Sequence, residues 1–277
     1  MNSDAGPQFT IELDGHRFRV GARRYDLSIP LTFDRSQPNF FGVQPASGSP
    51  IQAGSFVGAV EQGGSCNCAS YSLIPHCNGT HTECVGHLTS ERLSVRDLLI
   101  DAFARAVLIT VTPQSAAETS ESTDPQPRPG DFLITRSALA DASKSFHASY
   151  DAIVIRSLPN DHSKVSRQYG MGEGTPFFTA EAMQWLVARG VKHLVVDLPS
   201  VDRGSDEGKL TAHRIFWNVP RGATHVSSST RDHCSITELA YIDSAIPDGE
   251  YLLNLQIAPF AADAAPSRPV LLSLEPA

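Results

Sequence analysis

Residues 76–87 read His76-Cys77-Asn78-Gly79-Thr80-His81-Thr82-Glu83-Cys84-Val85-Gly86-His87. This stretch holds three of the ten histidines, two of the five cysteines and a glutamate, the densest metal-binding chemistry in the chain. A catalytic metal needs two or three fixed protein ligands and an open position. His81 and Glu83 are two apart, so extended backbone points both to one face, and His87 shares their parity. Imidazole combined with carboxylate suits Zn2+, Mn2+ or Fe2+ rather than Ca2+. His76 has the opposite parity, so the backbone has to bend or bulge to bring it to the same point. Asn78-Gly79 tolerates the positive φ that a bulge or tight turn requires. The rival is a structural zinc site built from Cys66, Cys68, Cys77 or Cys84 with a histidine. Those spacings do not match the usual paired C-x2–4-C or H-x3–5-H arms, and the thiols also read as small buried hydrophobes.

Upstream, residues 8–20 form two alternating runs, QFTIEL and HRFRV, around Asp14-Gly15, which predicts a hairpin. Tyr25–Leu31 is a short apolar run. Residues 40–55 are rich in Gly, Pro and Ser and predict a long surface loop. Phe56–Val60 reads as a short strand before a turn at Gly63-Gly64. Downstream, Val95–Leu108 fits either a helix or a helix-to-strand transition, with strand at Leu108–Val111. Residues 113–130 (PQSAAETSESTDPQPRPG) are almost without apolar content and predict a mobile insertion. Asp131–Thr135 and Ala152–Arg156 read as buried strands. The clearest helix spans about Ala180–Arg189, with Thr179 as N-cap and Gly190 just past its end. Val191–Asp197 follows as a buried strand, a helix-to-strand step of the α/β kind. Gly208–Trp217 reads as a short helix, and Ser235–Tyr241 and Tyr251–Ala258 as strands. One domain over residues 1–277 accounts for this pattern.

With 41% hydrophobic and 19% charged residues, the composition is that of a soluble globular protein. A net charge of −8 with no Lys/Arg-rich run argues against a nucleic-acid surface. No apolar run reaches the roughly 18 residues of a membrane span. The polar N-terminus does not read as a signal peptide, and the odd number of cysteines near histidines reads as thiols rather than disulfides, so the expected compartment is cytoplasmic.

The opening stretch resembles the signature H-x-G-T-H-x-D-x-P-x-H of the cyclase-like metal-dependent hydrolases, the family of bacterial kynurenine formamidase and isatin hydrolase. Gly79-Thr80-His81-x-Glu83-x-x-x-His87 matches it in order and spacing. Asp26-Leu27-Ser28-Ile29-Pro30-Leu31, Pro129-Gly130-Asp131, Asp197-Leu198-Pro199-Ser200-Val201-Asp202 with Ala212-His213-Arg214, Thr237-Glu238-Leu239 and the segment 247–269 resemble further family segments. Three departures mark a divergent branch: an extra residue between His76 and His81, Glu83 in place of aspartate, and Cys84-Val85 in place of Ala-Pro.

The resemblance implies an α/β fold, a swivelling β/β/α-type single domain with mixed sheets and a few helices, assembled as a homo-oligomer (dimer or tetramer). It implies His76, His81, Glu83, His213 and Glu238 as ligands of one or two divalent ions, Zn2+ or Mn2+, and His87 as the acid/base. It also implies an arylformamidase-like reaction on a small aromatic amide. Phe40 and Phe41 read as either an aromatic pocket wall or loop anchors. Asp197 and Asp202, flanking a Pro-Ser turn, read as loop caps. The alternatives are a metal-binding but non-hydrolytic module, or a cyclase or dehydratase using the same centre to stabilise an enolate.

Overall fold

The computed structural model describes residues 9–13, 15–146 and 149–276. Alternation makes the hairpin: β1 (Phe9–Leu13) pairs antiparallel with β2 (His16–Asp26), Leu13 opposite His16. Gly15 in the turn has φ 75°, while Gln8 and Asp14 of the expected hairpin lie outside the described residues.

Seven further strands build the core: β3 (His81–Glu83), β4 (Phe103–Val111), β5 (Ala152–Ser157), β6 (His193–Val196), β7 (Ser235–Glu238), β8 (Gly249–Ile257) and β9 (Ala264–Pro276). The sheet order is β1-β2-β9-β8-β4-β5-β6-β7-β3, and β3 pairs in turn with the start of β9. Strands β3 to β9 therefore close into a mixed barrel. β4 to β7 are mutually parallel and the other pairs antiparallel. β9 makes the closure: Ala264–Pro266 pair with β3, Ser267–Ser273 with β8 and Val270–Pro276 with β2.

The parallel strands are Val/Ile/Leu-rich because both of their faces are covered. Leu108, Val154, Val195, Leu253 and Leu271 fill the barrel interior. Ile109, Ile153, Ile155, Leu194, Val196 and Ile236 face outward onto helix side chains such as Leu139, Met183, Leu186 and Phe216. The helices are α1 (Pro75–Asn78), α2 (Val95–Leu98), α3 (Arg136–Ser143), α4 (Ala180–Ala188) and α5 (Thr211–Trp217). α4 starts where Thr179 Oγ1 accepts from Ala182 N at 3.0 Å, and Gly190 with φ 75° follows its end. Val95–Leu108 resolves as one helical turn, α2, followed by β4. No helix among the described residues is long and apolar enough to cross a membrane.

Some segments differ from their local reading. Residues 40–55 are not all surface loop. Phe40 and Ala46 are buried, and Ser47–Pro50 pairs with Ala69–Ser72. Phe132–Ile134 joins a small separate sheet with Gln114–Ser115 and Phe177–Phe178 instead of the barrel. The polar segment 113–130 is anchored by charge and hydrogen bonding in place of apolar packing. Glu121 accepts from Arg136 N at 2.7 Å and Thr179 Oγ1 at 2.7 Å, Ala180 N donates to Ser122 O at 2.8 Å, and Lys209 Nζ donates to Asp124 at 2.8 Å.

Candidate metal centre

The site lies where β3 closes the barrel against β7 and β9. His81 and Glu83 leave β3 on the same face, with Thr82 turned to the other. In register, His81 stands opposite Glu238 and Glu83 opposite Ile236. Ile236 belongs to the outer, helix-covered cluster, so the ligand face is the outer face of the barrel. α5 brings His213 over it. Thr80 holds the approach: its hydroxyl accepts from Ile29 N at 2.8 Å and donates to Leu239 O at 2.5 Å, clipping the segment after β2 and the end of β7 to the stretch.

The backbone does bend before His81, and the bend is a helical turn rather than a bulge. α1 winds residues 75–78, and Gly79 follows in extended backbone at φ 171°, so no left-handed residue is needed. A helical turn advances each residue less than half as far as a strand does, which absorbs the extra residue and cancels the parity mismatch. Gly79 is also closely packed: a Cβ there would meet Leu31 Cδ2 at 3.0 Å, and the leucine would have to give way. The His76 and His81 ring centroids end 5.2 Å apart.

Each of these three imidazoles is tied on one nitrogen and faces the centre with the other. His81 Nδ1 meets Gly79 O at 3.0 Å and its Nε2 is 3.5 Å from Glu238 Oε2. His213 Nδ1 meets Asp202 Oδ2 at 2.6 Å; its Nε2 is 2.9 Å from Glu83 Oε1 and 3.6 Å from Glu238 Oε1. His76 Nε2 meets Asp263 Oδ2 at 2.9 Å and its Nδ1 is 3.2 Å from Glu83 Oε2. This is how metal-ligating histidines are oriented: the outer nitrogen donates to a carboxylate or carbonyl and fixes the tautomer.

The inner atoms also test whether a metal fits. His81 Nε2 and both Glu83 oxygens are buried without a hydrogen bond among the described residues, although ring nitrogens lie within 2.9–3.8 Å of those oxygens. The atoms aim at shared points between them and not at one another. Leaving such groups unpaired in the interior is costly, and a cation bound by all of them removes the cost. Ligand atoms of His76, His81 and Glu83, and of Glu83, His87 and His213, each cluster within 4.8 Å. The residues present fit a divalent cation held by nitrogen and oxygen donors.

The electrostatics agree. Burial alone would raise the Glu83 pKa, but the neighbouring His87 and His213 hold it well below the usual range. Burial opposes charge on His213, yet Glu83 and Asp202 hold it well above the ordinary histidine value. Burial opposes charge on His76 as well, and Asp263 with Glu83 pushes it up to about 10. The carboxylates thus demand positive charge at this point, which protons supply to the free protein and a metal replaces on binding.

The five expected ligands, His76, His81, Glu83, His213 and Glu238, come together here, and His87 stands beside them. Its Nδ1 is 3.4 Å from Asp263 Oδ2 and 3.8 Å from Glu83 Oε2, while its Nε2 has no partner among the described residues. His76, His87 and Asp263, with side chains 27%, 27% and 39% exposed, form the open side of a centre that is otherwise buried. The cysteine rival has no geometric support: Cys66 and Cys68 are exposed, Cys77 and Cys84 are buried among apolar side chains, and no cysteine joins a cluster of ligand atoms among the described residues.

Three carboxylates have roles that the sequence does not announce. Asp202 is more than a loop cap. It accepts from Ala212 N at 2.8 Å and His213 N at 3.1 Å, capping α5 from outside, and orients the His213 ring as well. Asp263 precedes β9 in a segment whose only local signal is Ala, Asp and Pro; nothing in its neighbourhood announces a contact 187 residues away. Asp197 does not cap a loop. It is buried against Lys164 Nζ at 2.7 Å and Ser157 Oγ at 2.7 Å. Phe40 is an anchor, packed with Cys77, Tyr169 and Leu239, whereas Phe41 is 43% exposed at φ 61°.

The chain belongs to the cyclase family: the family's model matches residues 25–203. Its fold is shared by isatin hydrolase A from Labrenzia aggregata bound to benzyl benzoate (TM-score 0.62, 16% identity, 91% of this chain and 94% of that one). Isatin hydrolase A from Ralstonia solanacearum is similar too (TM-score 0.62, 18% identity, 90% and 91%). So is a "predicted metal-dependent hydrolase" from Bacillus stearothermophilus (TM-score 0.57, 15% identity, 90% and 98%). No curated protein sequence matches the chain.

Proposed function

We propose that the protein is a metal-dependent hydrolase that opens the C–N bond of an aryl formamide or a cyclic aromatic amide. The observation that carries this reading is the convergence of three imidazole nitrogens and the Glu83 and Glu238 carboxylates, each imidazole tied on its far nitrogen, beside a histidine with a free one. His76 Nδ1, His81 Nε2, Glu83, His213 Nε2 and Glu238 would hold the metal, Zn2+ or Mn2+ by donor chemistry. When bound, it supplies Lewis acidity to a carbonyl oxygen and to water. His87 Nε2, on the open side, accepts the proton of the attacking water and delivers it to the departing nitrogen, so water adds across the C–N bond and a carboxylate and an amine result. The buried Glu83 and Glu238 keep the ligand set anionic, and the enclosure by α5 limits access to the side lined by His76, His87 and Asp263. Family membership and the isatin hydrolase fold support this reaction class.

The test is metal analysis of the purified protein followed by assay of the Zn2+- and Mn2+-loaded forms on N-formyl arylamines and isatin-type cyclic amides, reading amine release or ring opening. Turnover of either class is the expected result. Bound metal with turnover of neither class overturns the hydrolase reading in favour of a cyclase, a dehydratase or a non-hydrolytic module. Failure to bind metal overturns all of them.

A further inference from the structure

The open side of the centre has a feature that the ligand set does not require. Asp263 Oδ2 meets two histidines at once, His76 Nε2 at 2.9 Å and His87 Nδ1 at 3.4 Å. Those two rings lie 4.5 Å apart, centroid to centroid, tilted by 35°. Asp263 comes from the far end of the chain, at the mouth of β9, and its own backbone is fixed. Its carbonyl accepts from Cys84 N at 3.0 Å, and the neighbouring Ala262 carbonyl accepts from Val95 N at 2.8 Å. A Cβ at Gly86 would sit 3.3 Å from the Asp263 Cβ and 2.4 Å from Leu93 O, so the turn carrying His87 packs directly on Asp263 and needs glycine to do so.

We propose that Asp263 is a positioning residue shared by the metal ligand His76 and the acid/base His87, setting the tautomer of both rings with one carboxylate. This rests on the metal-dependent reading of the site. Each imidazole has one N–H in its neutral form, and the nitrogen that donates it decides which one keeps the lone pair. A carboxylate accepts only, so Asp263 draws the His76 proton to Nε2 and leaves Nδ1, the nitrogen facing Glu83, free to bind metal. It draws the His87 proton to Nδ1 and leaves Nε2, which has no protein partner among the described residues, free to take a proton from water. Glu83 cannot do this for His87, because its oxygen is farther away at 3.8 Å and belongs to the ligand set. A second cation between His76, His87 and Asp263 is the competing use of the same atoms, which lie within 4.8 Å of one another. It would require His76 to bind metal through both nitrogens, and so to lose its remaining proton.

The test uses Asp263→Asn and Asp263→Ala beside the wild-type protein. Both rings meet the same oxygen, so Asn can put its carbonyl there, but only as a neutral and weaker acceptor for the two N–H groups, while Ala removes the acceptor altogether. Removing an outer carboxylate behind a ligand histidine costs roughly 10–100-fold in metal affinity. Both variants are therefore expected to bind Zn2+ about that much more weakly in chelator competition, with unchanged stoichiometry. With Zn2+ held saturating, kcat is expected to stay at least roughly tenfold down with little change in KM, since the defect in His87 survives metal loading. Long-range 1H–15N spectra of the Zn2+-loaded wild type are expected to show His87 protonated on Nδ1, with that signature lost in Asp263→Ala. Wild-type zinc affinity and kcat in both variants, a wild-type His87 protonated on Nε2, or loss of one of two bound ions per chain would overturn the proposal. A wild type that binds no Zn2+ removes the metal reading and this proposal with it. A wild type that binds and turns over while the variants match it removes this proposal alone.

Discussion

Substituting Asp202 by alanine separates two jobs that one buried carboxylate performs. Asp202 accepts from Ala212 N at 2.8 Å, from His213 N at 3.1 Å and from His213 Nδ1 at 2.6 Å. The first two contacts cap α5, whose own N-cap position, Leu210, supplies no side-chain acceptor. Losing a helix cap costs about 1 kcal/mol. Both N–H groups are buried, so the cost rises to about 2–3 kcal/mol if water does not replace the carboxylate. The third contact orients a ligand ring, and losing such a contact weakens metal binding by roughly 10–100-fold, or about 1.4–2.7 kcal/mol. Denaturant unfolding in excess EDTA reads the first effect alone. Competition against a chelating dye on the folded protein reads the second. Asp202→Asn is the partner variant, because its carbonyl oxygen keeps one of the two roles and preserves the fold. Asp202→Ala with wild-type zinc affinity would refute the argument that Asp202 orients a metal ligand, whatever its stability.

His87→Ala is expected to keep its zinc and lose roughly 10²–10⁴-fold in kcat; unchanged turnover in a metal-loaded variant removes His87 from proton transfer. His193, buried at the start of β6 with Nδ1 2.9 Å from Ser235 Oγ, is held down to about 4 by burial. Between pH 6.5 and that value the unfolded chain binds the proton and the folded one does not, so stability falls on acidification through this window by up to about 3 kcal/mol. His193→Asn is expected to flatten that slope in unfolding curves taken from pH 7 to 4, and an unaltered slope contradicts the assignment. Free Zn2+ at 100 times its dissociation constant adds about 2.7 kcal/mol to the folded state. For a chain of this size that raises Tm by roughly 5–10 °C over the EDTA-treated protein, and Tm values unchanged by zinc and by manganese alike exclude this centre as a site for either metal.

The sequence carried the parts of the fold that local physics determines. α4 and β6 were legible because a capping threonine, a helical period, a terminal glycine and an apolar run lie within about twenty residues of one another. The closure of the barrel was not. β3 is only three residues long, too short for a period, and β9 reveals its three partners only in space. At the site, His81, Glu83 and His87 announced themselves by parity and density. His213 and Glu238 were found through the resemblance alone, since a histidine in a short helix and a glutamate at a strand end have commoner explanations. The need for a bend at His76 was legible from parity, but its form was not, because Asn78-Gly79 suits a bulge and a tight turn equally well. What chose the helix is the fit of Cys77 against Phe40, Tyr169 and Leu239, which is a tertiary contact.

The strand register also decides how the side chains of the centre are brought together. Thr82 and Thr237 face each other across β3 and β7, their hydroxyl oxygens 2.7 Å apart, on the side opposite the ligands. Side chains in a strand alternate, so a slip of one residue would turn His81 and Glu83 away from the outer face and bring Thr82 out in their place. The register that seats the two threonines is therefore the one that brings His81, Glu83 and Glu238 to one face. Because β3 also pairs with the residues just after Asp263, it fixes that carboxylate against the turn of His87. Closing the barrel and assembling the site are one event in this fold. The turn of helix at residues 75–78 then brings His76 to the same place without any change in the strand that carries His81 and Glu83.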